Sequence, residues 1–162
     1  MQMRDRKLEV RRLGRVAYGE GLVLQKELED DVIARRRSDH LLLLEHPHTF
    51  TLGRRSKEQG VLATEAMLRS LGVDVFEINR GGRVTYHGPG QIVAYLLLDL
   101  RRWKINVREL VRVMEQAVID LLGEFGVAAT GREDAPGVYV DDAKIASLGL
   151  KIKNGYCYHG LA

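Results

Sequence analysis

Residues 80–91 read Arg-Gly-Gly-Arg-Val-Thr-Tyr-His-Gly-Pro-Gly-Gln (RGGRVTYHGPGQ), set between two apolar runs, Val73 to Ile78 and Ile92 to Leu98. The flanking runs read as strands. Gly81 and Gly82 allow backbone angles and close approaches that a Cβ would block, while Gly88, Pro89 and Gly90 force a turn directly after His87. The segment thus delivers a histidine and two hydroxyl side chains to one place. Glycine content alone would suit an ordinary loop between strands equally well. It does not suit a nucleotide loop: the string lacks G-x-x-x-x-G-K-[ST], and it does not open a helix after a strand as a dinucleotide fingerprint must.

Working outward, Ala17 to Ala34 reads as a helix, with Leu22, Leu28, Val32 and Ile33 on its buried stripe, ahead of an apolar strand at Leu41 to Leu44. A short helix follows Thr64 and stops at Gly72. The strongest helix signal is Val107 to Phe125. Asn106 and Glu109 form a capping-box-like start, and Val107, Leu110, Val111, Met114, Ala117, Val118, Leu121, Leu122 and Phe125 recur at helical spacing as a core stripe.

The C-terminal third reads as a β meander. Asn154-Gly155 is a strong two-residue hairpin signal and Asp141-Asp142 a weaker one. A two-residue loop at 154–155 sets Ile152 opposite Cys157 and Leu150 opposite His159, so these four share the inward face; Lys151, Lys153, Tyr156 and Tyr158 take the other. Steps of two back from Ile152 reach Leu150, Leu148, Ala146 and then Lys144. A lysine in phase with core side chains must be paired or neutralised; at the start of a strand it can also reach solvent past the Asp141-Asp142 turn. Cys157 reads as a small buried hydrophobe, and His159 equally as a core histidine or a site residue. His46, His48 and Thr49 cluster after Glu45, but H-x-H without further ligands predicts no metal.

Composition sets wider bounds. The 162 residues are one domain's worth, and the single cysteine excludes an intramolecular disulfide and suits a reducing compartment. The charged start, Met1 to Arg12, has no signal-peptide core, and no apolar run approaches a membrane span, so the chain reads as cytoplasmic with no membrane partner. Net charge is +3, with basic clusters at Arg11, Arg12 and Arg15; Arg35 to Arg37; Arg54 and Arg55; and Arg101, Arg102 and Lys104. An aromatic share of 6% and the lack of any nucleic-acid motif argue against nucleic acid and leave an acidic protein partner.

Taken whole, the Arg80 to Gln91 string resembles the signature of octanoyltransferases. Leu41 to Pro47 (LLLLEHP) with Phe50 to Gly53, Ala135 to Val140 (APGVYV), Lys144 to Leu150 (KIASLGL) and His159 to Ala162 (HGLA) are similar to that family in the same order. The resemblance implies an α/β (α+β) fold like the catalytic domain of biotin and lipoate ligases, with a mixed central sheet flanked by helices and a smaller C-terminal β sheet. It implies transfer of an octanoyl group from octanoyl-acyl carrier protein to a lysine of lipoyl domains, those of 2-oxoacid dehydrogenase complexes and of the glycine cleavage protein. No cofactor is implied, ATP included, because the incoming thioester is already activated.

By the same resemblance Lys144 is the catalytic lysine that partners a nucleophilic cysteine. Arg80, Gly81, Gly82, Arg83, Val84, Thr85, Tyr86 and His87, with Ser147, Leu148, Gly149, Gly160, Leu161 and Ala162, line one pocket for the acyl chain, where backbone N–H groups around the glycines and Ser147 bind the carbonyl oxygen. The family's cysteine lies in a Pro-Cys-Gly-like segment beyond HGLA, which residues 1–162 do not contain. The expectation is therefore a single catalytic domain, 1–162, incomplete at its C-terminus. An ATP-dependent lipoate or biotin ligase and a non-catalytic acyl-binding fragment are the alternatives.

Overall fold

The computed structural model of the protein describes residues 6–54, 56, 61–80 and 82–162. Gly81 of the glycine string, Arg55 of a basic cluster and the first five residues of the charged start lie outside the described residues.

A buried strand needs apolar residues on both faces, and VAYLLLD supplies them: β6 (Val93–Asp99) is buried along nearly its whole length. Val93, Tyr95 and Leu97 meet Leu42 and Leu44 of β2 (Asp39–Glu45) and Leu28 of α1 (Tyr18–Ile33) on one face. Leu98, in the opposite phase, meets Leu110 and Met114 of α4 (Val107–Glu124) and Cys157 of β10 (Tyr156–Leu161) on the other. The two helices thus sandwich the sheet.

Among the described residues seven strands form the large sheet, in the order β1 (Leu8–Arg15), β2, β6, β10, β9 (Ala143–Lys153), β8 (Gly137–Val140) and β7 (Thr130–Gly131). The β1–β2 pair is parallel and the others antiparallel. A second sheet holds β3 (Thr49–Leu52) between β4 (Asp74–Glu77) and β5 (Val84–His87). The smaller sheet is therefore not the C-terminal meander, which extends the large sheet instead. The string expected to be a loop supplies a strand: Val84 to His87 pair with Leu52 to Thr49.

Local signals held where the chemistry is local. Asn106 and Glu109 close a reciprocal capping box on α4, which follows the short α3 (Leu100–Trp103), and Thr64 Oγ1 accepts from Met67 N at the start of α2 (Glu65–Ser70). Asn154 and Gly155 both take positive φ, and the register is Ile152 opposite Cys157 and Leu150 opposite His159. Two face assignments fail. Ile33 is exposed on α1 while Gln25 is buried there, and the α4 stripe is covered only around Leu110 and Met114, leaving Phe125 76% exposed.

The third failure concerns Lys144. Val138 pairs with Ala146 but Tyr139 pairs with Lys144, so one step on β8 spans two on β9. This bulge at Ile145 reverses the alternation that counting in twos assumed. Lys144 is exposed, with its ammonium 5.2 Å from the centre of the Tyr139 ring.

Candidate active site

Arg80 joins the two sheets. It follows β4 and is 6% exposed, and its Nη2 donates to Thr51 Oγ1 (2.8 Å), to the Thr51 carbonyl (3.2 Å) and to Thr85 Oγ1 (2.8 Å), on β3 and β5. On its other side it lies against β9, where a Cβ built on Gly149 would stand 3.1 Å from Arg80 Cδ. The small residue of KIASLGL is thus matched to the guanidinium stem. Burial pulls the Arg80 pKa down from its usual value.

Around Arg80 lies a small cavity of about 30 Å³, room for a water-sized group. Its polar wall includes Tyr18, Arg80, His87, Tyr95 and His159, and its remaining wall includes Leu148, Gly149 and Leu161. His87 is buried, with Nδ1 3.1 Å from Gln91 Oε1 and its ring 5.9 Å from that of Tyr18. Burial pushes the pKa of His87 and of His159 down to about 4, with the Arg80 cation acting in the same direction on both. Both imidazoles are neutral at pH 7, and Arg80 is the cation of the cavity. His159 has φ +63°; it borders this cavity and also a pocket with Gln25 of α1 and Tyr158, so strand alternation misplaced it.

A second compartment, an open groove of about 770 Å³, runs between α4, the glycine string and β9. Its volume is in the range of small-molecule sites. Arg80, Thr85, Ser147, Leu148 and Gly149 line both compartments. The structure therefore replaces one expected pocket by two that meet at these residues. Gly82, Arg83, Val84 and Lys144 belong to the groove, whereas His87, Gly160, Leu161 and Ala162 belong to the cavity.

Lys144 thus shares a compartment with the glycine string but not with His87. Its Nζ donates to the Pro136 carbonyl at 3.1 Å, so the expected buried lysine is a groove-edge lysine. Two more expectations fail locally. Tyr86 points away from both compartments, its hydroxyl 2.6 Å from His48 Nδ1 and its ring against Phe50. The Ser147 backbone N–H donates to the Ala162 carbonyl at 2.7 Å and is committed there rather than open to a ligand oxygen.

Sequence reasoning missed Tyr18 and Tyr95. The signal was a tyrosine inside the otherwise aliphatic run of β6, since a buried phenol needs a partner. Cys157 is 2% exposed in the core beside α4, and burial pushes its thiol up to about 12. Among the described residues no cluster of three or more His, Cys, Asp or Glu could hold a metal ion.

Residues 17–162 match the lipoyl protein ligase A/B catalytic domain family. The chain belongs to that family. Within it, the chain is 51% identical to an octanoyltransferase of Azoarcus sp. (strain BH72) over 96% of its own length and 66% of the relative's. It is 50% identical to the octanoyltransferase of Dechloromonas aromatica, over 94% and 71%, and 57% identical to that of Nitrosomonas europaea, over 76% and 58%. The chain thus spans about two thirds of the length of the curated relatives it matches. Among solved structures it resembles LipL1 of P. falciparum in complex with lipoate (TM-score 0.73, 16% identity, 96% of this chain and 47% of that one). It also resembles lipoate-protein ligase A bound with ATP (TM-score 0.66, 17% identity, 96% and 65%). At such identities these two establish the lipoyl ligase fold, a mixed α and β architecture.

Proposed function

We propose that the protein is an octanoyltransferase, moving an octanoyl group from octanoyl-acyl carrier protein to a lysine of lipoyl domains. The observation that carries this is identity of 50–58% to proteins named octanoyltransferase. The geometry adds an open groove of about 770 Å³ lined by Arg80 and the small residues Ser147 and Gly149.

In this reading the enzyme thiolate attacks the octanoyl thioester and expels the carrier's thiolate, and the neutral amine of the acceptor lysine then attacks the new thioester, forming the amide and releasing the enzyme thiolate. Lys144 sits at the groove edge, where its ammonium favours the thiolate, donates a proton to the departing carrier thiol and, as the neutral amine, takes one back from the attacking acceptor amine. Cys157 is not that thiol, because it is buried in the core and its raised pKa keeps it protonated. The resemblance puts the nucleophile in a Pro-Cys-Gly-like segment. Arg80, Gly82, Thr85, Ser147 and Gly149 bind substrate. The proposed location is the cytoplasm, a reducing compartment in which a free thiol nucleophile persists. Among the described residues no helix is long and apolar enough to cross a membrane.

The test uses octanoyl-acyl carrier protein, a lipoyl domain and the protein with its full C-terminal sequence, read by intact mass of the acceptor. Octanoyl transfer without ATP is the expected result, and Lys144→Met should slow it by at least a hundredfold, the usual worth of a general acid or base. Transfer that requires ATP and free octanoate would overturn the reading in favour of a ligase. Near-normal turnover by Lys144→Met would remove Lys144 from the mechanism.

A further inference from the structure

The groove adjoins a second open trench of about 590 Å³ along α4, and Val107, Val111 and Pro136 line both. Arg108 and Arg112 of α4 and Arg132 after β7 line the trench beyond them. Together the two linings carry six basic side chains and three acidic ones. Lys144 stands at the junction, since its Nζ donates to the carbonyl of Pro136, one of the shared residues.

The three arginines are not equivalent. Arg132 is engaged: its guanidinium donates to both carboxylate oxygens of Asp134, at 3.3 and 3.1 Å, and lies over the Tyr139 ring. Arg112 reaches only the exposed Glu133, at 3.9 Å, a pair of little worth in water. Arg108 is exposed and makes no hydrogen bond or ion pair among the described residues. Glu115, one turn from Arg112, is held instead by the Gly137 backbone N–H at 2.8 Å. Arg108 and Arg112 also run against local helix energetics. Four positions apart, they face the same way and repel, and Arg108 is the second residue of α4, where the helix dipole disfavours a cation. An anion seated between them removes both costs.

We propose that Arg108 and Arg112 are the docking point for the acyl donor, holding the phosphodiester of the phosphopantetheine arm on which a carrier protein presents its acyl group. This rests on the octanoyl-transfer reading and deepens it. The arm lies along Val107 and Val111, the thioester comes to the Lys144 junction, and the acyl chain runs on toward Ser147 and Gly149. The acceptor has no use for the trench: its lysine is a short side chain, so its domain must stand over the reacting carbon itself.

Two small donors isolate the anion: octanoyl-phosphopantetheine and octanoyl-pantetheine, which lacks the phosphate. With the full C-terminal sequence present and a lipoyl domain as acceptor, the phosphorylated donor should be favoured by about tenfold in kcat/KM, the worth of one charge-assisted hydrogen bond. Arg108→Gln combined with Arg112→Gln should abolish that preference, mainly through the donor's KM, and raise the KM for octanoyl-acyl carrier protein. Added salt should erode the wild-type preference. A preference that survives in the double variant, or a loss equal for both donors, would overturn the proposal. So would a rise confined to the KM of the lipoyl domain, which would make the arginines an acceptor site. Binding of phosphopantetheine itself, read by amide NMR shifts at the start of α4, needs no turnover. If it binds the wild type and not the double variant while no octanoyl group is transferred, the anion site stands and the transfer reading falls. If transfer proceeds but phosphopantetheine moves no α4 amide, the reading stands and the docking site falls.

Discussion

His87 and His159 are neutral imidazoles held beside the guanidinium of Arg80, and the arrangement ties stability to pH. In an unfolded chain both would take up protons near pH 6.5, whereas the folded protein resists this down to about 4. Between those values the unfolded chain binds more protons, so stability present above pH 6.5 is lost as pH falls toward 4. A shift of that size is worth at most about 3 kcal/mol per histidine. His46, also lowered, acts in the same direction, and Asp39, whose carboxyl burial raises, opposes it. Urea unfolding midpoints measured from pH 7 to 4.5 should therefore fall, and His87→Gln should flatten the curve. Cys157 yields a second expectation at this scale. With a thiol pushed up to about 12 and 2% exposed, it should resist alkylation at pH 8 until urea opens the core. It should also form no hydroxylamine-sensitive octanoyl adduct, so an adduct that vanishes in Cys157→Ser would make this hairpin cysteine the nucleophile after all.

At the level of the element, the capping box of α4 is the clearest case of sequence dictating structure. Asn106 Oδ1 accepts from Glu109 N and Glu109 Oε2 accepts from Asn106 N, so two of the helix's unpaired donors are satisfied within four residues. Asn106→Ala should cost about 1 kcal/mol, read as a fall in the urea midpoint with an unchanged m-value. Caps, the Asn154-Gly155 turn and the register of its hairpin were legible because each is decided by residues close in sequence. Strand β5 was not, because Val84 to His87 become a strand only by pairing with Thr49 to Leu52, some 35 residues earlier. The Ile145 bulge was also hidden. It depends on how β8 meets β9, and it is what moves Lys144 from the inward face to the groove edge.

Across the whole molecule, the sequence identified which segments converge but not that they divide into a cavity and a groove, since the dividing wall is a contact between two sheets. Arg80 makes that contact. Its guanidinium holds Thr51 and Thr85 of the small sheet while its stem lies on Gly149 of the large one. The basic clusters contribute less to a shared field than their number suggested: Arg36 and Arg37 pair with Asp31, Arg101 with Asp99 and Arg102 with Asp39. Their salt-dependent attraction for an acidic carrier should be correspondingly modest. Arg80 is different, being buried and structural at once. Lysine keeps the charge but has no planar fork, so Arg80→Lys cannot reproduce the bonds to Thr51 and Thr85, and should cost about 2 kcal/mol. The loss should be local. Hydrogen exchange of amides in β3 and β5 should quicken markedly while β2 and β6, which have their own core with α1, retain their protection. A uniform change across both sheets, or none, would show that Arg80 does not pin the small sheet to the large one.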